Sequence, residues 1–197
     1  MSETTIRRAR RADCADIAKL FLLSSDGLAA YIWGQMDMPS LSLQEIGEQR
    51  YAREGVAFSY ENCLVAEYEG AVVGMLHSFP MEPRAADEQE TDPVLRPYAE
   101  LEEPDSLYIS GVALYPEHRG LGVGTRLLEA ARVRARGLGL PRLSLICFEA
   151  NEAAMRLYQW LSYRESDRRP IVPHPSLHYS EGDAVLLLRE VAQGHSA

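Results

Sequence analysis

The chain has 197 residues, 46% hydrophobic and 25% charged, with a formal net charge of −9. This length suits one domain, residues 1–197, that buries most of its unfolded-state surface, and the composition excludes disordered and fibrous classes. The negative charge argues against a nucleic-acid partner, whose phosphates call for clustered Lys and Arg, and favours a cationic one.

Ile6 to Arg10 reads as a short strand, followed by Asp13 as the cap of a helix that turns Ile17, Leu20, Phe21 and Leu22 inward. Between residues 26 and 58 the helical pattern breaks at Pro39, which predicts two helices. Cys63 to Tyr68, the turn pair Glu69-Gly70 and Ala71 to Phe79 predict an antiparallel hairpin. Residues 80–105 form a proline-rich acidic insertion with room for a short helix; its acids are Glu82, Asp87, Glu88, Glu90, Asp92, Glu100, Glu102, Glu103 and Asp105, against Arg84 and Arg96.

Leu107 to Leu114 is a β-prone apolar run, Pro116 to Gly124 a loop, and Thr125 to Arg136 a helix with Leu127, Leu128, Ala131 and Ala135 in register. Leu143 to Phe148 returns as a second strand, parallel to the first because a crossover helix joins them. Asn151 to Leu161 predicts another helix, and Tyr163 to Arg169 and Ala184 to Val191 the final strands. No run of eighteen apolar residues occurs and Met1 to Thr5 lacks a signal pattern, so the expectation is a cytoplasmic protein with no membrane partner. Cys14, Cys63 and Cys147 are too scattered for a ligand set, so they read as buried thiols and no metal is expected.

The chemistry concentrates in His118-Arg119-Gly120-Leu121-Gly122-Val123-Gly124-Thr125, set between a strand and a helix. There backbone N–H groups and the helix dipole attract an anion, glycine lets phosphate approach the main chain, and Arg119 adds charge. A nucleotide P-loop needs a lysine between glycine and Ser or Thr, and Gly124-Thr125 has none. A dinucleotide fingerprint needs two residues before its third glycine, whereas Gly120, Gly122 and Gly124 alternate singly.

The segment instead resembles the signature of GCN5-related N-acetyltransferases (the GNAT family), through Arg119, Gly122 and Gly124 after Val112 to Glu117. Downstream, Asn151, Ala154, Leu157 and Tyr158 resemble the family's second motif, with Tyr163 as its aromatic and Ser162 where glycine is usual. The resemblance implies an α/β fold with a mixed, mostly antiparallel sheet of about seven strands, splayed between its two central parallel strands and flanked by helices. It also implies acetyl transfer from acetyl-CoA to a primary amine, with a small-molecule acceptor, direct attack through a tetrahedral intermediate, and homodimerisation as a family expectation. The alternatives on the same fold are a protein acetyltransferase acting on N-termini or lysines and a non-catalytic acyl-CoA sensor.

On that resemblance the cofactor's pyrophosphate sits at the loop from Arg119 and Gly120 onward, on the main-chain N–H groups of Leu121, Gly122, Val123, Gly124 and Thr125, while Val112, Ala113 and Leu114 line the pantetheine. The Leu114 N–H supports the oxyanion, Asn151 and Ala154 contact the cofactor, and Tyr158 is the general acid. The general base is open. Tyr108 to Gly111 holds no acid, Ser110 alone is a poor base, and Asp105, Glu103, Glu100 and His77 remain as candidates, Asp105 being nearest the strand. In the tail, Arg168 to Pro175 is stiffened by prolines, with His174 and Tyr179 as candidate acceptor contacts.

Overall fold

Alternation and turn chemistry resolve into β1 (Thr5–Arg8), α1 (Cys14–Ser24), α2 (Leu28–Gly34), α3 (Leu43–Tyr51), β2 (Cys63–Tyr68) and β3 (Ala71–Met81). There follow α4 (Arg96–Ala99), β4 (Ser106–Leu114), α5 (Val123–Gly137), β5 (Arg142–Phe148), α6 (Glu152–Trp160), β6 (Arg164–Pro170) and β7 (Asp183–Glu190). These come from a computed structural model that describes residues 4–83 and 89–191. The acids Asp87 and Glu88 and the basic Arg84 of the insertion lie outside the described residues.

The strands order as β1-β2-β3-β4-β5-β7-β6, so the fold is the mixed seven-stranded sheet expected, with helices. β4 and β5 pair in parallel from Ser106 opposite Arg142 to Ile109 opposite Leu145, with α5 as the crossover. β1–β2, β2–β3, β5–β7 and β6–β7 are antiparallel. The last strand thus lies between β5 and β6, an order that spacing along the chain does not reveal.

The chain groups into two compact units, and β3, β4 and α5 each contribute to both. The first comprises the chain up to Phe79, Ser110–Ala130 and Ser176–His178. In it α1 packs against α2 and α3, burying Ile17, Leu20, Phe21, Trp33, Ile46 and Tyr51 with Val65 and Met75 of the hairpin. The hairpin turn forms because Glu69 and Gly70 both take positive φ, 51° and 81°, the twist that two-residue loops require.

Asp13 does not cap α1 in the way expected. Its carboxylate turns back to accept from the Arg10 N–H at 2.6 Å and from Arg7 at 2.8 and 3.0 Å. Arg7 also holds Glu67 at 2.7 Å, so the network fastens β1 and β2 to the helix entry. Burial by itself raises the Asp13 pKa, but the bonds from Arg7 and Arg10 outweigh it and hold the carboxyl below its usual range. The Ser176–His178 segment docks on the α1–α2 connection, where His178 N–H donates to the Asp26 carbonyl at 2.9 Å. Gly27 there has φ 93°, and a Cβ on it would fall 2.0 Å from the Ser176 carbonyl oxygen, so the close approach demands glycine.

The second unit comprises Pro80–Ile109, Ala131–Pro175 and the chain from Tyr179. Its core buries Leu107, Ile109, Leu143, Leu145, Leu161 and Tyr163 with Ala184 to Leu187 of β7. The buried Ser144 hydroxyl donates to that of Ser106 at 2.6 Å, which in turn donates to the Glu103 carbonyl at 2.7 Å. β6 is exposed along nearly its whole length and carries Arg164, Glu165, Asp167, Arg168 and Arg169, the charged dressing that keeps an edge strand from pairing with other chains.

Candidate active site

β4 delivers the chain to the glycine loop through a 3₁₀ turn at Pro116–His118. In the first unit Tyr115 N–H donates to Val73 of β3 at 3.0 Å. Because successive peptide groups of a strand face opposite edges, those of Leu114 and Val112 point away from β3 while that of Ala113 points toward it. The far edge is thus the one on which Val112 and Leu114 present donors and acceptors.

Arg119 folds back there, its Nε donating to the Leu114 carbonyl at 3.1 Å. Gly120 and Gly122 both have φ 74°, and a Cβ on either would meet nothing within 4 Å. Their need for glycine is therefore conformational, and the space above them is open. α5 begins at Val123, two residues earlier than expected, and its first helical bond runs from Arg126 N–H to Gly122. The N–H groups of Val123, Gly124 and Thr125 consequently have no carbonyl one turn back. No acid stands in that first turn, and Arg134 and Arg136 occupy the last, so no carboxylate of the first turn offsets the dipole's positive end. The buried Val123 side chain anchors this end, whereas Leu121 at the loop tip is 69% exposed.

In the second unit Asn151 stands before α6 rather than in it. Its Oδ1 caps the helix by accepting from the Ala154 N–H at 3.2 Å. Tyr158 is buried on the same helix. Its carbonyl accepts from Tyr163 N–H at 2.9 Å, while Ser162 N–H reaches Gln159 at 3.0 Å. Those two bonds are a Schellman C-cap, and Ser162 fills its left-handed position with φ 66° where the resemblance expects glycine. The turn therefore survives the substitution, with the Tyr158 and Tyr163 rings in edge contact at 5.6 Å as its apolar clasp. Tyr163 precedes β6 instead of belonging to it.

Among the base candidates, Asp105 is exposed in the turn before β4, at φ 57°, with its N–H given to Met81 at 3.1 Å. Glu103 is bonded to Arg142, and Glu100 to Arg169 at 2.9 Å. The insertion therefore presents less unpaired negative charge than its composition suggests. His77 is completely buried, with Nε2 at 2.9 Å from the Ala57 carbonyl and Nδ1 at 2.5 Å from the Ser110 hydroxyl. That pairing joins residues 33 positions apart and has no local signal in the sequence. Tyr179 packs on Phe148 at 5.4 Å, and His174 lies in the irregular segment between β6 and β7.

All three cysteines are free and buried, as expected. Among the described residues no cluster of His, Cys, Asp or Glu could hold a metal, and no helix is long and apolar enough to cross a membrane.

The model of the acetyltransferase (GNAT) family matches residues 30–163, more than half of the chain. An uncharacterized N-acetyltransferase, YycN, of Bacillus subtilis (strain 168) is 35% identical over 71 residues, 36% of this chain and 46% of that protein. The match thus spans about half the length of that curated relative. A putative acetyltransferase (yncA) from Salmonella typhimurium, solved with its cofactor acetyl-CoA, superposes with a TM-score of 0.63 at 24% identity, covering 98% of this chain and 96% of its own. A phosphinothricin acetyltransferase from Sinorhizobium meliloti in complex with acetyl-CoA gives a TM-score of 0.64 at 22% identity, covering 98% and 91%. At such identities these structures establish the fold, and the family match establishes the class. The chain belongs to the GNAT acetyltransferase family, whose members are acyltransferases with acetyl-CoA as co-substrate.

Proposed function

We propose that this protein, as a single acetyltransferase domain, transfers the acetyl group of acetyl-CoA to the primary amine of a small molecule. The observation that carries the cofactor half is the N-terminus of α5, whose first amides have no carbonyl one turn back, with open space over Gly120 and Gly122 and no acid in the first turn. The N–H groups of Leu121 to Thr125 hold the pyrophosphate, and the terminal guanidinium nitrogens of Arg119 add charge once its Nε is fixed on Leu114. Pantetheine runs along the β4 edge that Val112 and Leu114 present, and the Leu114 N–H takes the carbonyl oxygen as negative charge develops on it. The amine attacks the thioester carbon, the C–N bond forms, the C–S bond breaks, and Tyr158 protonates the departing thiolate.

Asn151 and Ala154 enter on the motif they share with Tyr158. Asp105 is an exposed carboxylate able to draw a cationic acceptor toward β4. A small acceptor is favoured by the net charge of −9, which attracts ammonium groups, and by the likeness to an enzyme named for phosphinothricin.

The test is release of CoA thiol from acetyl-CoA across a panel of primary amines and of peptides with free N-termini. Turnover with at least one small amine, slowed about 100-fold in Tyr158→Phe at unchanged acetyl-CoA affinity, is expected, in line with the usual contribution of a general acid. Binding of acetyl-CoA without turnover of any acceptor would assign the chain a sensor's role, and turnover of peptides alone would replace the small-molecule acceptor.

A further inference from the structure

An ammonium acceptor cannot attack until it loses a proton, and the β4 stretch Tyr108 to Gly111 offers no carboxylate to take it. The first unit holds another base next to that stretch. His77 of β3 is 0% exposed, enclosed by the rings of Phe21, Tyr51, Phe58 and Phe79 at centroid distances of 6.1, 5.3, 4.9 and 5.5 Å. Its Nε2 faces the Ala57 carbonyl at 2.9 Å, and a carbonyl oxygen only accepts, so in the neutral ring Nε2 carries the hydrogen. Nδ1 is then a bare lone pair, and 2.5 Å away stands the Ser110 hydroxyl, which must donate to it.

The arrangement has the parts of an activated hydroxyl: a hydroxyl, a base in contact with it, and a third group fixing the base's tautomer. Ser110 is only half-buried while His77 is sealed. The hydroxyl therefore links the buried base to the part of β4 that runs into the glycine loop. A hydroxyl donates and accepts at once, so it can pass a proton inward without holding charge. Burial disfavours a charged imidazole, but the Ala57 carbonyl stays bonded to Nε2–H in both forms.

We propose that Ser110 and His77 form the proton relay that deprotonates the amine acceptor. This rests on the acetyltransferase reading above. As the ammonium gives a proton to Ser110 Oγ, Ser110 gives its own to His77 Nδ1, and the freed amine attacks the thioester carbon. Of the two protons the nitrogen loses in becoming an amide, this relay removes the first, and the second replaces the one delivered to the thiolate. One proton is released to solvent per turnover when His77 returns its proton through Ser110. Ionisable groups packed near His77 include Tyr51 of α3, whose own pKa burial pushes well above the usual value, Cys63 opposite it on β2, and Arg50 on Phe58 at 5.6 Å.

The experiment compares wild type, Ser110→Ala and Ser110→Thr with the best amine found in the thiol-release panel, across pH 6 to 9.5. Acetyl-CoA affinity is measured alongside by calorimetry. Ser110→Ala should keep that affinity yet lower kcat/KM about 100-fold at pH 7, the usual weight of a positioned base. The deficit should shrink as pH approaches the amine's own pKa, and Ser110→Thr should recover most of the rate because it keeps the hydroxyl. In ¹⁵N–¹H spectra the neutral His77 ring should carry its proton on Nε2, and Ser110→Ala should shift its titration.

Wild-type kinetics in Ser110→Ala, or a deficit equal at every pH, would overturn the relay while leaving the transferase standing. So would a neutral His77 protonated at Nδ1, or acetylation of Ser110 by acetyl-CoA alone, which would make it a nucleophile. Failure of the wild type to turn over any acceptor would instead remove the transferase reading beneath the proposal.

Discussion

Two helix N-termini in the first unit, those of α3 and α5, meet the same physical problem and meet it oppositely. Both leave amides without a carbonyl one turn back. At α3 the chain supplies the partners itself. Ser42 Oγ accepts from Glu45 N–H at 3.3 Å, while the Glu45 carboxylate accepts from Ser42 N–H at 2.8 Å, a reciprocal capping box. At α5 the first turn holds no acid, and two left-handed glycines keep the approach clear. The α3 end satisfies itself and serves the fold, whereas the α5 end, beside a basic residue, is the one we propose takes a ligand.

The contrast breaks most sharply at Gly122. Gly122→Asp places a carboxylate at the proposed pyrophosphate site, and Asp tolerates a left-handed backbone better than most residues, so the fold should survive. Acetyl-CoA affinity should fall by about 100-fold or more on calorimetric titration, roughly the loss of two charge-assisted hydrogen bonds, with the unfolding midpoint little changed.

Asp13→Asn acts on the network that fastens β1 and β2 to α1. It should lower unfolding stability by about 1–3 kcal/mol, the penalty of leaving Arg7 part-buried with one partner fewer. The Asp13 carboxyl titrates lower when folded than when unfolded, so its contribution is fully present above about pH 4 and disappears as pH falls through the folded value. Urea titrations at pH 7 and pH 3 should therefore show the gap between wild type and variant narrowing in acid.

Ser42→Ala should remove about 1 kcal/mol of stability by opening the α3 cap and leave acetyl-CoA affinity untouched. A change in affinity there would blur the distinction between the two ends. The smallest effect belongs to α6, where Ser162 occupies a left-handed cap. Ser162→Gly should raise stability by about 1 kcal/mol or less, visible as a small upward shift of the unfolding midpoint, because glycine takes that φ without strain while gaining freedom when unfolded.

How much of this was legible in the sequence follows from how local each signal is. The hairpin at Glu69-Gly70, the glycine loop and the α6 motif each sit in one short stretch, and all appear where the pattern placed them. The seven-stranded mixed sheet also stands as expected, but the insertion of β7 between β5 and β6 is a matter of long-range pairing that periodicity does not encode.

Asp13 was read as a cap from its position. The competing pull of Arg7 comes from a strand whose partner, Glu67, is 60 residues away. Asn151 was read as a cofactor ligand from its motif, and the structure adds that its oxygen is already engaged as a cap. The acids of the insertion looked like a free charged surface until Arg142 and Arg169, far along the chain, paired with Glu103 and Glu100. Ser110, a weak base in isolation, acquires chemical meaning only through His77.

The measurement that tests the central claim most directly is an amide NMR titration of the full chain with acetyl-CoA. The account predicts saturable shifts at the N–H groups of Leu121, Gly122, Val123, Gly124 and Thr125, with those of Leu43 to Glu45 unmoved. Saturable binding that leaves the α5 N-terminus unshifted would contradict it.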